Sequence, residues 1–427
     1  MDEFDFSTLA VHAGEEPDPE TGAMRLPIDM ATTFKLPPFG PKLIDALLMD
    51  SPRPPHAYTR WSNPTLRALE ERLVALETAS LGRKAKPFEA VVTASGMAAV
   101  SALLLTRLSK GDHVVASEVC YAGSVELLGQ HLPRFGIEVS LVDTGDLEQV
   151  RAALRPNTRL VYAETPANPI LRIADIAALA ELAHSAGVPL AVDSTWASPA
   201  LQQPLSLGAD FVIHSLTKYI NGHGDALGGV VIGPQKEIQR IRKEMLVHLG
   251  GALSPFNAWL ILRGAVTLPV RMQRHSESAM QVAQFLENHP KITRVVYPGL
   301  ESHPHHALAK RQMSAFGGML TFQLKEGLGA SITLSEKIKV FQYATSLGHA
   351  HSLLFYYPSD MYIDSAAYLS AKQKARIREW TGEGIVRASI GLENAQDLIA
   401  DLDQALRARS FRGLVGPLAY RLLKGKG

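Results

Sequence analysis

The sequence has little cysteine, no excess of charge of either sign and no long apolar run. Cys120 is the only cysteine among 427 residues, so the chain can form neither an internal disulfide nor a thiolate metal site. The 43 lysines and arginines almost balance the 42 aspartates and glutamates, which leaves a formal net charge of +1. This balance gives no electrostatic reason to expect a nucleic acid or an anionic membrane as a partner.

Other absences narrow the class of protein further. No stretch approaches the roughly 18 consecutive apolar residues of a membrane span, and the acidic N-terminal segment lacks the apolar core of a secretory signal. A single thiol suits a reducing compartment, so we expect a cytoplasmic protein. No G-x-G-x-x-G segment follows a predicted strand and no Walker-type loop is present, which argues against a nicotinamide or nucleotide site.

The pattern along the chain predicts an N-terminal arm and two domains. Residues 1–60 are rich in proline and glycine without sustained periodicity, and we expect them to form an extended arm. A helix is predicted from Pro64, with Asn63 as its N-cap. Through residue 265, short β-branched runs then alternate with helical segments, which predicts a large α/β domain with a mostly parallel central sheet. Residues 266–427 predict a smaller α+β C-terminal domain. The strands predicted in the large domain are Glu89–Thr93, His113–Ser117, Glu138–Val142, Arg159–Ala163, Pro189–Val192, Asp210–His214 and Gly229–Ile232.

Ligands of open α/β sheets bind at the carboxyl ends of the strands. One such end in this sequence suits an anion, and another has an acidic residue. Ser95, Gly96 and Met97 lie between a strand and a helix, where exposed N–H groups and a glycine suit a phosphate; a plain strand–helix turn is the alternative. Asp193 follows a buried apolar run and needs a partner. That partner is a basic side chain in a salt bridge, a helix N-terminus that the acid caps, or the protonated nitrogen of a pyridine ring.

Two further strand ends carry a lysine and an amide. Ser215, Thr217 and Lys218 follow an apolar strand and precede a polar, glycine-rich loop. A lone lysine is normally solvated, but burial lowers the pKa of a lysine and makes its amine nucleophilic toward an aldehyde. Glu164 and Asn168 close another strand before a proline-bounded turn, which suits either turn formation or a contact with a ring hydroxyl.

Together the four strand ends provide what pyridoxal 5′-phosphate (PLP) chemistry requires. They offer an amine that forms an imine, a counter-ion for the pyridinium, phosphate donors and a partner for the ring hydroxyl. The combination is far more specific than any one of its members. We therefore expect a PLP enzyme in which Lys218 binds the cofactor as a Schiff base.

The sequence resembles the PLP-dependent Cys/Met metabolism (trans-sulfuration) family, and among its members methionine γ-lyase and cystathionine γ-lyase. The resemblance implies the type I, aspartate-aminotransferase-like PLP fold and covers nearly the whole chain. The matching stretches are Tyr58-Thr59-Arg60, Asn63-Pro64-Thr65, Ser95-Gly96-Met97, Cys120-Tyr121-Ala122-Gly123, Glu164-Thr165-Pro166-Ala167-Asn168-Pro169, Asp193-Ser194-Thr195, His214–Asp225, Leu253-Ser254-Pro255, Tyr297-Pro298-Gly299-Leu300, Gly317-Gly318-Met319, Ser346-Leu347-Gly348 and Val386–Glu393.

The resemblance also implies roles for residues that their local pattern alone would not single out. Tyr121 is expected to stack on the cofactor ring and relay a proton. Tyr58 and Arg60 are expected to reach the cofactor phosphate of a neighbouring subunit, within a homotetramer built as a dimer of dimers. Arg387 with Ser346 is expected to bind the substrate α-carboxylate, a task that suits the planar guanidinium. The implied cofactor-binding set is Tyr58, Arg60, Ser95, Gly96, Met97, Tyr121, Asn168, Asp193, Ser215, Thr217 and Lys218, with Lys218 and Tyr121 as catalytic residues.

The expected activity is γ-elimination from an L-amino acid such as methionine or cystathionine. A γ-replacement enzyme of the cystathionine γ-synthase or O-acetylhomoserine sulfhydrylase type is the alternative, and a non-catalytic PLP-binding protein is a third. The distal pocket departs from the family pattern. Gly123 replaces the cysteine of methionine γ-lyases, and His351 stands where many γ-lyases have a glutamate. This change suggests a different γ-substituent, for example that of canavanine, with His351 in the substrate pocket and Asp360 or a tyrosine beside the guanidinium.

A second group of histidines, at residues 303–306, invites comparison with a metal site. The histidines surround Pro304 in a predicted loop, and such neighbours rarely converge on one ion. We therefore expect no metal.

Overall fold

The computed structural model describes residues 4–49, 51, 53–82, 87–364, 366 and 368–408. The contacts divide the chain into two compact units. The first contains the described residues of Met1–Gln273 and Ala307–Gly317, and the second those of Arg274–His306 and Gly318–Gly427. The N-terminal arm belongs to the first unit, which continues beyond residue 265 into a long helix. A short return segment after His306 also belongs to the first unit.

The elements follow one another in the order expected of an α/β enzyme. The strands are β1 (Phe88–Thr93), β2 (His113–Ser117), β3 (Glu138–Val142), β4 (Thr158–Glu164), β5 (Leu190–Asp193), β6 (Phe211–His214), β7 (Gly229–Pro234), β8 (Ile292–Val296), β9 (Met319–Leu324), β10 (Gln342–Tyr343), β11 (Leu353–Pro358) and β12 (Gly384–Ser389). The α-helices are α1 (Phe6–His12), α2 (Pro41–Leu48), α3 (Pro64–Glu77), α4 (Gly96–Arg107), α5 (Ala122–Glu126), α6 (Leu147–Ala153), α7 (Ile176–Ser185), α8 (Ser198–Leu201), α9 (Gln235–Ile241), α10 (Pro255–Ala265), α11 (Leu268–Glu287), α12 (His306–Gln312), α13 (Gly327–Lys337), α14 (Ser359–Asp364), α15 (Ala371–Thr381) and α16 (Ala395–Arg407).

The sheet of the first unit has seven strands in the order β1-β7-β6-β5-β4-β2-β3. The pairs β2–β3, β2–β4, β4–β5 and β5–β6 are parallel, which confirms the predicted mostly parallel sheet. The strand β7 was predicted among the parallel strands, but it runs antiparallel to both β6 and β1. The physical reason is its connection. Between β6 and β7 the chain forms turns rather than the crossover helix that a parallel neighbour needs.

A buried apolar layer fixes the register of these strands. Val161, Leu190 and Val192 pack with Leu179 and Ala183 of α7, all essentially inaccessible to solvent. Sliding a strand by one residue would turn these side chains to the opposite face, so the core specifies the alignment. In that alignment Glu164 pairs with Asp193, and Asp193 with Ile213. Polar residues thereby collect at one edge of the sheet.

The N-terminal arm contains helices that the sequence analysis did not predict. The expectation of a wholly extended segment is wrong for α1 and α2. Asp5 is the N-cap of α1, since its carboxylate accepts the N–H of Ser7 at 2.9 Å. Pro41 is at the start of α2, where its missing N–H costs nothing. Helices of seven and eight residues are too short for a clear periodic signal.

The second unit contains a five-stranded sheet in the order β10-β11-β12-β9-β8. Its β11–β12, β12–β9 and β9–β8 pairs are antiparallel, and the register sets Phe355 opposite Arg387. The strand β11 was not predicted. In the part of the chain that the structure describes, no helix is both long and apolar enough to cross a bilayer.

Candidate active site

Lys218 lies in a tight turn at the end of β6. Its N–H donates to the carbonyl of Ser215 at 3.1 Å, and its carbonyl accepts the N–H of Gly222 at 2.8 Å. The hydroxyl of Thr217 accepts the N–H of Gly228 at 3.1 Å, which ties the turn to the chain that enters β7. Lys218 is half-buried. The turn therefore fixes the backbone from which the lysine projects.

The N-terminus of α4 lies against Ser215. The hydroxyl of Ser95 caps the helix by accepting the N–H of Ala98 at 3.1 Å. A Cβ atom on Gly96 would lie 2.8 Å from the Cβ of Ser215, closer than real Cβ contacts. Only glycine permits this approach, and the helix N-terminus with its neighbouring hydroxyls forms a cradle for an anion. This geometry suits a phosphate.

Asp193 is a buried carboxylate at the end of β5, with 7% of its surface exposed. Its Oδ1 accepts the N–H of Thr195 at 3.0 Å and the Thr195 hydroxyl at 2.6 Å. Burial raises the pKa of Asp193 above its ordinary value, although the bonds from Thr195 act in the opposite direction. A cation beside the carboxylate would offset this cost of burial. The Thr195 hydroxyl also accepts the N–H of Ser215 at 2.9 Å, which links the acid to the lysine turn.

Glu164 connects two residues that the sequence assigned to the cofactor. One of its oxygens accepts the N–H of Tyr121 and the other the N–H of Asn168, both at 2.7 Å. The Tyr121 side chain is 49% exposed. A Cβ on Gly123 would lie 2.9 Å from the Tyr121 ring and 3.1 Å from the sulfur of Met97, so the ring and Met97 flank the same glycine.

Two contributors were not assigned site roles from the sequence. Glu164 and Thr195 fix the backbone and the carboxylate through hydrogen bonds. The signal available was their position: each stands at, or two residues beyond, the end of a buried strand. Cys120 is fully buried, and burial together with Glu164 and Asp193 raises the pKa of its thiol well above the ordinary value. This thiol is therefore held protonated and poorly nucleophilic.

The residues of the first unit fit PLP. A lysine on a rigid turn supplies an amine, a buried acid matches a protonated pyridine nitrogen, and a glycine-lined helix N-terminus matches the phosphate. Tyr121 offers an exposed aromatic face. The Arg60 guanidinium donates to the Leu246 carbonyl at 3.3 Å and to that of Val247, and it lies 5.5 Å from the Tyr58 ring centre. The contact predicted for Tyr58 and Arg60 with a neighbouring subunit stays a prediction.

The second unit contains the residues predicted to bind the substrate carboxylate. Arg387 is 7% exposed, donates to the Ser346 carbonyl at 3.1 Å and lies 5.0 Å from the Tyr357 ring centre. Ser346 has a φ of +89°, an uncommon conformation for a residue with a side chain. Its hydroxyl lies 3.3 Å from Nε2 of His349. His351 is exposed, and its predicted place in the substrate pocket stays a prediction.

Two other suggestions from the sequence concern side chains with different partners. Asp360, considered for a guanidinium substrate, accepts a hydrogen bond from Arg378 at 2.7 Å. In the run at residues 303–306, Nδ1 of His303 accepts the N–H of His305 at 3.1 Å, and both rings lie about 6 Å from that of Trp380. Among the described residues no group of three histidine, cysteine or acidic side chains is arranged to hold a metal.

The fold and the site define a type I PLP-dependent enzyme. Residues 7–407 match the model of the family described as Cys/Met metabolism PLP-dependent enzyme, and the chain belongs to this family. It is 43% identical over 404 residues to a canavanine gamma-lyase of Rhizobium leguminosarum bv. trifolii (strain WSM2304), covering 94% of this chain and 96% of that protein. It is 42% identical over 410 residues to an L-methionine gamma-lyase of Fusobacterium nucleatum subsp. polymorphum, covering 94% and 98%.

A solved structure supports the same conclusion. The crystal structure of metB from Corynebacterium glutamicum matches with a TM-score of 0.84 and 40% identity, covering 95% of this chain and 98% of that one. The predictions of the family, the fold and the PLP cofactor are confirmed.

Proposed function

We propose that this chain is a γ-lyase, which eliminates the γ-substituent of an L-amino acid. PLP, when bound, supplies an electron sink for the negative charge that develops at the substrate Cα. Lys218 would hold the cofactor through its amine, and the same amine would take the proton from the substrate Cα. Asp193 keeps the pyridine nitrogen protonated. Tyr121 donates a proton to the leaving group.

The observation that carries this proposal is the environment of Asp193. Its carboxylate is buried, with a raised pKa and with Thr195 as its hydrogen-bonding partner at Oδ1. A cationic ring nitrogen offsets the cost of burying such a group, and the acid in turn holds the ring proton. Thr195 joins the acid to Ser215 and thus to the turn that carries Lys218. Hydrogen bonds therefore link the counter-ion to the backbone of the turn that carries the lysine.

Arg387 and Ser346 bind the α-carboxylate of the substrate. The guanidinium of Arg387 is buried and oriented by the Ser346 carbonyl and the Tyr357 ring. These contacts orient the guanidinium, and pre-organisation of this kind strengthens a bidentate contact with a carboxylate. His351 remains a candidate for the distal part of the substrate.

Canavanine and methionine are the first substrates to test, because relatives that match over nearly their whole length carry those names. Their leaving groups differ. Elimination from canavanine breaks the Cγ–O bond and releases a hydroxyguanidine, whereas elimination from methionine breaks the Cγ–S bond and releases a thiol. We would incubate the PLP-loaded chain with canavanine, methionine, cystathionine, homocysteine and O-acetylhomoserine plus sulfide, and identify the products by mass spectrometry. Products of γ-elimination from at least one substrate support the proposal.

The Lys218→Ala variant is the control for this experiment. It should lose both turnover and the visible absorbance of the lysine-bound cofactor, and substantial retained turnover contradicts the assignment of Lys218. A thioether product that forms only with added thiol favours γ-replacement instead. Bound cofactor with no product from any γ-substituted amino acid favours a non-catalytic protein.

The homotetramer and the cytoplasmic location also remain proposals. Exposed apolar side chains along the arm support self-association, since Met30 is 64% and Phe39 91% exposed. Multi-angle light scattering of the wild-type chain and of a Phe39→Ser variant tests the assembly. A tetramer that dissociates in the variant supports docking of the arm on another copy, and a monomeric wild type contradicts it.

A further inference from the structure

Arg271 is a buried guanidinium that no step of the proposed reaction uses. It lies in the first turn of α11 with 5% of its surface exposed. Its hydrogen bonds go to neutral acceptors. These are the Tyr219 carbonyl at 2.7 Å, the Ile220 carbonyl at 3.2 Å, the Gly264 carbonyl at 2.8 Å and the Thr267 hydroxyl at 3.0 Å.

No carboxylate compensates this charge within the part of the chain that the structure describes. Burial alone lowers the pKa of Arg271 to about 10, so the guanidinium remains charged at neutral pH. Arg72 provides a contrast, because it is also buried but pairs with Glu15 at 2.7 Å. A buried charge without a counter-ion is costly. The backbone carbonyls around Arg271 therefore indicate which part of the chain its charge stabilises.

The carbonyls that Arg271 binds directly follow Lys218. In the turn, the Lys218 carbonyl accepts the N–H of Gly222. The next two carbonyls, of Tyr219 and Ile220, are those that a continuing helix would satisfy, and Arg271 takes that place. The guanidinium therefore acts as a C-terminal cap for the turn that carries the lysine, although it comes from a different helix.

Two glycines show how closely the turn is held. The chain reverses at Gly222 with a φ of +77°, and a Cβ there would lie 2.1 Å from Nη1 of Arg271. On α10, a Cβ on Gly264 would lie 2.1 Å from the Asn221 carbonyl oxygen. The backbone after Lys218 is thus enclosed between α10 and the guanidinium, and a side chain at either glycine would force one of them to move.

We propose that Arg271 is a positioning residue for Lys218. It fixes the backbone from which the amine projects, and its uncompensated charge disfavours protonation of the Lys218 nitrogen in the holoenzyme. The inference rests on the proposed role of Lys218 as the cofactor-binding amine. Arg271 itself touches neither substrate nor cofactor in this proposal.

The two effects are separable by substitution. Arg271→Met removes both the guanidinium hydrogen bonds and the positive charge, whereas Arg271→Lys keeps the charge and loses the guanidinium geometry. Arg72→Met controls for the loss of a buried arginine elsewhere. The measurements are the pH midpoint of the visible absorbance of bound PLP, the rate of PLP loss after dilution, and thermal stability. None of them depends on knowing the substrate.

For Arg271→Met we expect the pH midpoint to rise by about one pH unit. Removing a buried positive charge near the lysine turn makes protonation of the Lys218 nitrogen easier, which sets the direction of the change. PLP loss should accelerate about tenfold in both Arg271 variants, as after breaking a charge-assisted hydrogen bond. Arg271→Lys should keep the wild-type midpoint, and Arg72→Met should lower thermal stability without changing either cofactor property.

The proposal is overturned if Arg271→Met, or Arg271→Lys should the methionine variant not fold, matches Arg72→Met in both cofactor measurements. A separate experiment tests the role of Lys218, on which this proposal depends. If Lys218→Ala retains the same pH-dependent absorbance, the role of Lys218 is wrong. If that variant loses the absorbance while the Arg271 variants resemble wild type, only the inference about Arg271 fails.

Discussion

The carboxylate of Glu164 accepts the backbone N–H of Tyr121 at 2.7 Å. These residues are far apart in sequence, and the contact forms because β4 ends beside the loop that follows β2 in the sheet. The second carboxylate oxygen accepts the N–H of Asn168 at the same distance. One buried acid thus fixes the backbone of two residues assigned to the cofactor ring.

Replacing Glu164 should affect both stability and turnover. Glu164→Ala leaves two N–H groups without their acceptor, at a cost of about 1–3 kcal/mol each where they are buried. Glu164→Gln keeps one acceptor oxygen and should lie between the alanine variant and wild type. We expect both the thermal unfolding midpoint and kcat to decrease from wild type to Glu164→Gln to Glu164→Ala. In the alanine variant kcat should be reduced about tenfold or more. An unchanged kcat in a stably folded Glu164→Ala variant contradicts the positioning role.

Gly96→Ala should weaken cofactor binding. Its new Cβ would meet the Cβ of Ser215 at 2.8 Å, so the helix N-terminus or the lysine turn must move. Equilibrium dialysis of PLP should show about tenfold weaker binding, as expected for a displaced anion cradle. The double variant Gly96→Ala/Ser215→Gly removes the clash and should bind PLP more tightly than Gly96→Ala/Ser215→Ala, which keeps it. Equal affinities in the two double variants would show that this contact does not limit binding.

His349 and His351 form a matched pair for testing the substrate pocket. His349 lies 3.3 Å from the Ser346 hydroxyl, whereas His351 is exposed. We expect His349→Asn to raise KM by about threefold to tenfold, the cost of one hydrogen bond that orients a binding group. His351→Asn should have the smaller effect, with kcat largely unchanged in both. A larger rise in KM for His351→Asn would reverse the assignment and support the sequence-based prediction.

His56 should make the folded state sensitive to acid. Nδ1 of His56 lies 2.9 Å from the Ser62 hydroxyl, and burial together with Arg67 lowers the pKa of His56 from 6.5 to about 4. The unfolded chain therefore binds a proton at a higher pH than the folded chain. The stability contributed by neutral His56 is complete above pH 6.5 and is lost as the pH falls toward 4.

Urea unfolding between pH 7 and pH 4.5 checks this expectation. His56→Gln should lose less stability than wild type over that interval, because its amide does not titrate. His12, which is exposed, provides the control, and His12→Gln should follow the wild-type curve. Parallel curves for His56→Gln and wild type would show that His56 is not responsible.

The helices and strands that could be predicted are those with a strong local signal. The sequence predicted β2 and β3 with their observed bounds and the start of α3 at Pro64, since the β-branched runs and the Asn63 N-cap are local features. It missed β11, and it missed α1 and α2, which are too short for a clear periodic signal. It also misassigned the direction of β7, since direction depends on the connection rather than on composition.

The sequence by itself determined the family, the PLP cofactor and the residue types at the strand ends, because the motifs that carry them are each short stretches of chain. Only the tertiary structure decided which groups hold those residues. Glu164 binds Tyr121, Arg271 binds the carbonyls after Lys218, and His349 rather than His351 contacts Ser346. The first two contacts join distant segments, and the third depends on the backbone at Ser346, which turns through a φ of +89°. Hydrogen bonds of this kind are set by the packing of strands and helices, which no local pattern records.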